Sequence, residues 1–417
     1  MNDLVYNNVN PELVKEVVDN EIGLKGYLVI DSTINGQSIG GLRIRVGLDK
    51  DEIINLAHSM TLKQSFVGIP RGGAKAGIVI KEHISDSKKV TLLKRFGELT
   101  ADYLKDRKYI SGSDIGTDTA MINKFYESAG LKITKQWTGC PNSGYFTSLS
   151  VLVAIEECIK IKKLDFQKCT FTIQGFGSVG SSLALEIYKL GGKIIAISDA
   201  DGAIMNENGL KIPEIINLVK QNKSILHYKD ATQIDKDKLL ELEVTVLCPC
   251  ALAKAITNGN KDNIKADIVC AGANEAVTVL ADRNFFNRGI IFLPEFATNC
   301  GGVLGNAMEF MGIHKRKILK LYRETLTKKY RFMHEISKKT QTTPREVAMK
   351  IAMNNFERMK NNNKLRSVIS KIHTFALQIY YKGMIPKFLV KNYAYNYFKK
   401  CLLQDVDLYE SYVNYYT

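Results

Sequence analysis

The stretch IPRGGAKAGI, residues 69 to 78, surrounds a single ammonium, that of Lys75, with three glycines and two alanines. Neighbours this small let substrate and backbone come close, and let the protein exclude water around the lysine. A desolvated lysine, more so beside a second cation, holds its proton weakly, and its pKa can fall to about 7–8. It can then polarise a carbonyl or activate water. Lys63, twelve residues earlier, is a candidate for that second cation, and an ammonium there could clamp a carboxylate. Asp114, between Ser113 and Ile115, could shuttle protons; one positioned acid or base contributes typically ~10²–10⁴-fold. Taken singly, such residues are more often structural or solvated. A flexible glycine loop with a surface lysine is the plainer reading, and a phosphate loop is excluded because GxxxxGK followed by Ser or Thr is absent.

The elements that must position these groups follow from periodicity. LKGYLVID (24–31) and GLRIRVG (41–47) read as strands. DKDEIINLAHSMTLKQSF has acids at its front and Ile53, Ile54, Ala57, Met60 and Leu62 at helical spacing, so it predicts a helix with Lys63 near its C-terminal end. FVGIP predicts a short strand leading into the glycine loop. SKKVTLLKRFGELTADYLKD predicts one longer helix, KYISGSDIGTD a strand ending in a loop that carries Asp114, and TAMINKFYESAG a helix closed by Gly130.

The rhythm changes near residue 150. After the helical SLSVLVAIEECIKI come five short apolar runs, CTFTIQGF, KIIAISDA, VTVLCP, ADIVCAGA and GIIFLPEF, separated by helical patterns or turn clusters. Strands alternating with helices indicate a parallel sheet in α/β units. Within the first run, GFGSVG follows a strand and opens the helix SSLALEIYKLG. Gly175 turns the chain, Gly177 admits a pyrophosphate to the backbone, and Gly180 lets helix and strand pack closely. Phe176, Ser178 and Val179 complete a turn whose helix N-terminus faces the phosphates. Asp199, nineteen residues beyond Gly180, closes the next strand. It could hold a ribose hydroxyl and repel a 2′-phosphate, which favours NAD while leaving NADP open.

Composition bounds the rest. At 417 residues, with 45% hydrophobic and 24% charged residues, the chain reads as globular, with room for two or more domains. It has no apolar run long enough for a membrane span and no basic n-region at its start, so a cytoplasmic protein is expected. The eight cysteines form no CxxC and the six histidines no HExxH; buried thiols and no metal site are expected. The net charge of +15 is local: residues 311–417 hold 22 Lys and Arg against 7 Asp and Glu. Nucleic-acid binding by that basic stretch is the less favoured reading, a solvated helical face the more favoured one.

Taken together, IGGLRI, MTLKQSFVGIPRGGAKAGI, SDIGTD, GFGSVG, SDADGAI, CPCAL, AGANEA and NCGGVLGNAMEFM, in that order, resemble the glutamate/leucine/phenylalanine/valine dehydrogenase family. The likeness covers most of residues 20 to 310 and returns weakly near PREVAMKIAMNNFERM. It implies an NAD(P)-dependent enzyme interconverting an L-amino acid with its 2-oxo acid and ammonia, built as a homo-oligomer. Lys63 matches the lysine for the substrate α-carboxylate, Lys75 the catalytic lysine and Asp114 the catalytic aspartate. Asn274, with Ala271 at the start of the same motif, matches the stretch beside the nicotinamide and its ribose. Ile39, Gly40, Thr147, Val303 and Asn306 match positions of the substrate pocket.

Three departures qualify the likeness. Glutamate-type members resemble KGGLR where this chain has Ile39-Gly40-Gly41-Leu42-Arg43, and an isoleucine cannot pair a side-chain carboxylate. The N-terminal region resembles leucine-type members more closely, yet Asn306 adds an amide where those carry an apolar residue. A substrate that is neither plain glutamate nor plain leucine is expected. The stretch TGCPNSGYFTSLSV is altered, leaving the register of Thr147 open. Beyond residue 360 follows an extra basic segment: the last 57 residues hold nine of the 19 tyrosines, and read as helical packing or an oligomer contact. The expected organisation is a substrate and assembly domain over 1–148, a Rossmann-type dinucleotide domain over 149–300, helices over 301–360 returning to the first domain, and the tail over 361–417. A non-catalytic dinucleotide sensor or scaffold on the same fold is the rival reading, and a reductive aminase of a specialised oxo acid a variant of the first.

Overall fold

The computed structural model describes residues 10–132, 142–361, 380 and 384–403. Two sheets divide the chain. The first contains β1 (Leu13–Asp19), β2 (Leu24–Ile30), β3 (Ser38–Val46), β4 (Gly72–Ile80) and β5 (Tyr109–Ser113), in the order β1-β2-β4-β3-β5. β4 runs parallel to β3 and antiparallel to β2. Between β3 and β4 lies helix α1 (Lys50–Phe66). Asp49 starts it by accepting the Glu52 N–H at 2.8 Å, and Asp51 and Glu52 in the first turn complement the helix dipole.

Lys75 is not on a loop. FVGIP forms no strand; α1 runs through Phe66, a turn at Gly68 (φ 71°) reverses the chain, and the glycine-rich run is the buried strand β4 itself. Its glycines serve close packing. A Cβ on Gly73 would lie 2.1 Å from the Thr61 nitrogen, and one on Gly77 2.5 Å from Ile53 Cδ1, so α1 rests directly on the strand backbone. Helix α2 (Asp86–Leu99) and a separate α3 (Ala101–Lys105) replace the single helix expected there. The break falls at Thr100, whose hydroxyl back-bonds to the Phe96 carbonyl at 2.7 Å. α4 (Thr119–Ser128) follows β5.

Helix α5 (Ser143–Ile161) leads into the second sheet. β6 (Thr170–Gln174), α6 (Ser178–Lys189) and β7 (Lys193–Ser198) form the first βαβ unit. Two short strands, β8 (Ala203–Met205) and β9 (Thr232–Ile234), then extend the sheet antiparallel on the far side, with α7 (Ile212–Lys220) between them. After α8 (Lys236–Leu240) come β10 (Val246–Pro249), β11 (Ile268–Cys270), α9 (Val279–Arg288) and β12 (Ile291–Leu293). The order is β12-β11-β10-β6-β7-β8-β9, with β12 through β7 parallel. The parallel strands are mainly apolar and their middles are buried, as cover on both faces demands.

The remaining chain is helical: α10 (Glu295–Thr298), α11 (Gly301–Phe310), α12 (Lys315–Thr340), α13 (Pro344–Asn361) and α14 (Lys387–Leu403). α13 begins with a reciprocal capping box, Thr343 and Glu346 each accepting the other's N–H, and with Pro344 in its first turn. α12 and α13 reach back to α1: Lys329 Nζ donates to the Phe66 carbonyl at 2.5 Å and Asn355 Nδ2 to the Ser65 carbonyl at 3.1 Å. Those are carbonyls of the last turn of α1, beyond its regular helical bonds; the Ser65 carbonyl also accepts the Gly68 N–H at 3.0 Å. α14 buries Ala394, Phe398 and Leu402, one turn apart, in the main core. Of the eight cysteines, the seven among the described residues form no disulfide; Cys140 lies outside those residues with the start of the altered stretch, while the remainder of that stretch, from the N-cap Asn142, opens α5.

Candidate active site

Lys63, Lys75 and Asp114 come from α1, β4 and the turn after β5, and the sheet brings them together. Lys75 Nζ lies 2.5 Å from Asp114 Oδ2, and Arg43 Nε donates to the same oxygen at 3.1 Å. Arg43 Nη1 also holds Glu52 at 2.7 Å, so charges alternate along Lys75, Asp114, Arg43 and Glu52. Asp114 is aimed by its backbone: its N–H donates to Thr117 Oγ1 at 2.9 Å, and that hydroxyl donates to the Leu42 carbonyl at 2.8 Å. Gly41 is required beside it, since a Cβ there would sit 2.9 Å from Asp114 Cβ. Gly40 is held just as tightly, its missing Cβ falling 1.6 Å from the Ala74 carbonyl oxygen.

Lys63 and Lys75 are 6% and 3% exposed, which is rare for lysines and costly while they are charged. Burial, reinforced by the Lys75 ammonium, lowers the Lys63 pKa to about 8. Burial pulls Lys75 down as well; Asp114 opposes that and Arg43 adds to it. Burial works against the Asp114 charge, but Lys75 and Arg43 outweigh it and hold the carboxyl below the usual range. The result is an ionised acid in contact with an ammonium that releases its proton easily.

The dinucleotide half meets this group directly. Lys63 Nζ donates to Asn274 Oδ1 at 3.0 Å, and Asn299 Nδ2 donates to the same oxygen at 2.9 Å. Asn274 is thereby held with its own Nδ2 left as a donor. Next to it Glu275 adopts φ 56°, a left-handed conformation uncommon for such a residue. Its carboxyl is buried beside Glu295, and its pKa is pushed up to about 8.

One cavity of about 590 Å³ joins these parts. Ile39, Gly40, Lys63, Lys75, Asp114, Thr147, Val179, Asn274, Val303 and Asn306 all line it. Ala271 does not: its methyl is in the core, its carbonyl accepts from Thr298 Oγ1 at 2.9 Å, and Gly272 faces the cavity in its place. Asn306 Nδ2 donates back to the Gly302 carbonyl at 2.7 Å, while its Oδ1 is buried without a hydrogen-bond partner among the described residues. Gln64, which sequence reasoning passed over, lines the cavity with both amide atoms likewise unpaired, as does Asn299 with its Oδ1. Each such group costs about 1–3 kcal/mol if it stays unsatisfied, so the cavity is built for a polar ligand. Arg43 and Arg71 were also missed. Arg43 completes the Asp114 contacts, and Arg71 brings a half-buried guanidinium to the cavity wall. The available signals were an arginine inside an apolar strand and one beside the glycine pair.

The turn that would take the dinucleotide fits it. Gly175 has φ 93°, a Cβ on Gly180 would overlap the Gly175 carbonyl oxygen at 1.8 Å, and a Cβ on Gly177 would meet nothing within 4 Å. The first and third glycines are thus needed by the protein and the second leaves open space. α6 starts at Ser178 with no side chain capping it, and Phe176 is buried below the turn. Asp199, at the end of β7, accepts the N–H groups of Asp201 and Gly202 at 2.9 and 3.1 Å. Those bonds fix the carboxylate and leave lone pairs for a hydroxyl. No cluster of metal-binding side chains occurs among the described residues, and none of their helices is long and apolar enough to cross a membrane.

The model of the glutamate/leucine/phenylalanine/valine dehydrogenase family matches residues 139–366, and the dimerisation-domain model of the same family matches residues 13–129. The chain belongs to this family. It is therefore an NAD(P)-dependent amino-acid dehydrogenase by descent, with a fold to match. It is 31% identical over 298 residues to the NAD-specific glutamate dehydrogenase of Staphylococcus aureus, covering 69% of this chain and 72% of that one. It is 28% identical over 340 residues to the NADP-specific glutamate dehydrogenase of Saccharolobus shibatae, covering 75% and 79%. Among solved structures, the hetero-hexameric glutamate dehydrogenase of Thermus thermophilus in its Leu-bound form superposes with a TM-score of 0.71 at 22% identity, over 85% of this chain and 90% of that one.

Proposed function

We propose that this enzyme interconverts an L-amino acid with its 2-oxo acid and ammonia, with Lys63 holding the α-carboxylate and Lys75 and Asp114 moving the protons. The observation that carries this reading is the convergence of Lys63, Lys75 and Asp114 on one cavity with Asn274 of the dinucleotide half. A bound nicotinamide would supply the hydride exchange at Cα. Neutral Lys75 then draws a proton from water adding to the resulting imine carbon. Asp114, ionised at rest and in contact with Lys75, relays that proton to the carbinolamine nitrogen; Lys75 then takes the hydroxyl proton as the C–N bond breaks, and oxo acid and ammonia leave. Ionised groups fixed in a dry site need no reorganisation during these steps, which is where most of their effect lies. Asp199 supports NAD as the preferred dinucleotide. The dimerisation-domain match supports self-association of the first sheet's domain.

For the substrate, Ile39 and Val303 supply apolar walls and Asn306 an unpaired acceptor. That combination suits a side chain that is mainly apolar and carries one hydrogen-bonding group. A second reading, an acidic side chain, rests on Arg71 at the cavity wall and on relatives named glutamate dehydrogenase. The test is NADH and NADPH consumption with ammonia across acidic, aliphatic and aromatic 2-oxo acids, beside the reverse panel of amino acids. Best turnover with 2-oxoglutarate, lost in Arg71→Ala, would establish the second reading. Dinucleotide binding with no turnover on either panel would overturn both and leave a sensor or scaffold.

A further inference from the structure

Helix α14 lies beyond residue 366, where the family match ends. Yet Val390, Tyr393, Ala394, Tyr397 and Phe398 line the same cavity as the candidate catalytic groups. Their spacing, i, i+3, i+4, i+7, i+8, is one continuous helical face. Across the cavity α11 presents Val303, Asn306, Ala307 and Phe310, with Met311 just past its end, at the same spacing. Tyr380, ahead of α14 in the chain, lines the cavity too: its hydroxyl donates to the Phe310 carbonyl of α11 at 2.6 Å, and the two rings meet edge to face at 5.2 Å. α14 is seated firmly. A Cβ on Gly68, at the turn that ends the Lys63 helix, would lie 2.6 Å from the Cys401 carbonyl oxygen, and Lys399 pairs with Glu324 of α12 at 3.5 Å.

Resting on the dehydrogenase reading above, we infer that α14 is a specificity element that walls the substrate side-chain compartment and sizes it for a bulky, aromatic side chain bearing a hydrogen-bonding group. Lys63, Lys75 and Asp114 occupy the charged end of the cavity and claim the carboxylate and the reacting carbon. The side chain must extend away from them, into the space between α11 and α14. There it meets aromatic rings on one side and the unpaired amide oxygen of Asn306 on the other, with the unpaired Gln64 amide on α1 nearby in the wall. Ring-on-ring contact rewards a planar side chain beyond the area it buries. The orphan acceptor rewards a donor such as an indole N–H or a phenol.

The experiment compares kcat/KM for aromatic and small aliphatic 2-oxo acids in the full-length enzyme and in Tyr397→Ala, Tyr397→Phe, Tyr393→Ala and Ala394→Leu, with melting temperature and dinucleotide binding measured for each. The wild type is expected to favour aromatic substrates. Tyr397→Ala should reduce the aromatic-to-aliphatic ratio about tenfold, Tyr397→Phe should restore it, and Ala394→Leu should penalise the larger substrates more than the smaller. Tyr393, 64% exposed, tolerates truncation, so Tyr393→Ala keeps the comparison open should the more buried positions not fold. An active enzyme whose ratio stays within twofold in every folded variant overturns the role of α14 while leaving the dehydrogenase reading intact. No oxo acid consumed by the wild type overturns the dehydrogenase reading, and the role of α14 with it.

Discussion

Lys63 must be charged to hold a carboxylate, yet burial and Lys75 bring its pKa to about 8 in the free enzyme. Below that pH it is protonated and receptive; above it the ammonium is lost. The KM for the amino acid is therefore expected to rise as pH passes upward through about 8, and Lys63→Arg, which keeps its proton, should abolish that rise while raising KM throughout. A pH series of initial rates reads both. The Glu275 pKa is shifted the other way, upward, and its effect is on stability. The unfolded chain releases this proton near 4.5, whereas the folded protein keeps it to about 8. The folded state binds more protons over that window, so stability falls as pH rises through it. Glu275→Gln should flatten the fall, and urea unfolding at several pH values would show no difference in slope if the burial argument is wrong.

At the scale of elements, the glycine turn separates two tasks that one motif usually blends. Gly177→Ala meets open space, so the fold should survive while dinucleotide affinity drops. Gly180→Ala drives a methyl into the Gly175 carbonyl and should cost both affinity and roughly 1–3 kcal/mol of stability. Dinucleotide titration beside thermal unfolding distinguishes them. This turn was legible because strand, glycines, helix and acid lie within one local unit. The strand after it was legible too, as were β11 and β12, whose three residues are all apolar and buried; β8 and β9 are as short but lie in no extended apolar run, and β9 is the mostly exposed TQI. The run around Lys75 misled for a physical reason. Glycine tolerates both loops and crowded strands, and only the proximity of α1, not visible in local sequence, decides for the strand. Arg43 was hidden likewise, because an arginine does not announce partners nine and 71 residues away, and Gln64 because its type does not reveal that its amide faces a cavity.

At the scale of the molecule, the C-terminal helices bind the two sheets into one cleft. Arg345 of α13, 2% exposed, donates to the Val277 carbonyl at 2.7 Å and to Glu295 at 3.1 Å, and approaches Asp282 at 3.5 Å. Both acids are buried, and burial raises the Asp282 pKa to about 6 despite the arginine. Arg345→Met leaves them facing each other, so a loss of about 3–5 kcal/mol is expected in denaturant unfolding. That the chain turns helical again after residue 301 was legible as pattern. The placement of α14 against the cavity was not, since its tyrosines and lysines read equally well as a solvated face.

The last turn of the helix carrying Lys63 is completed by Lys329 and Asn355, separated from their acceptors by 263 and 290 residues of chain. The helix is therefore synthesised some 263 residues before the side chain that occupies its Phe66 carbonyl. The setting of Lys63 is finished only when α12 and α13 dock, so a change that loosens either of those helices should be felt at that ammonium.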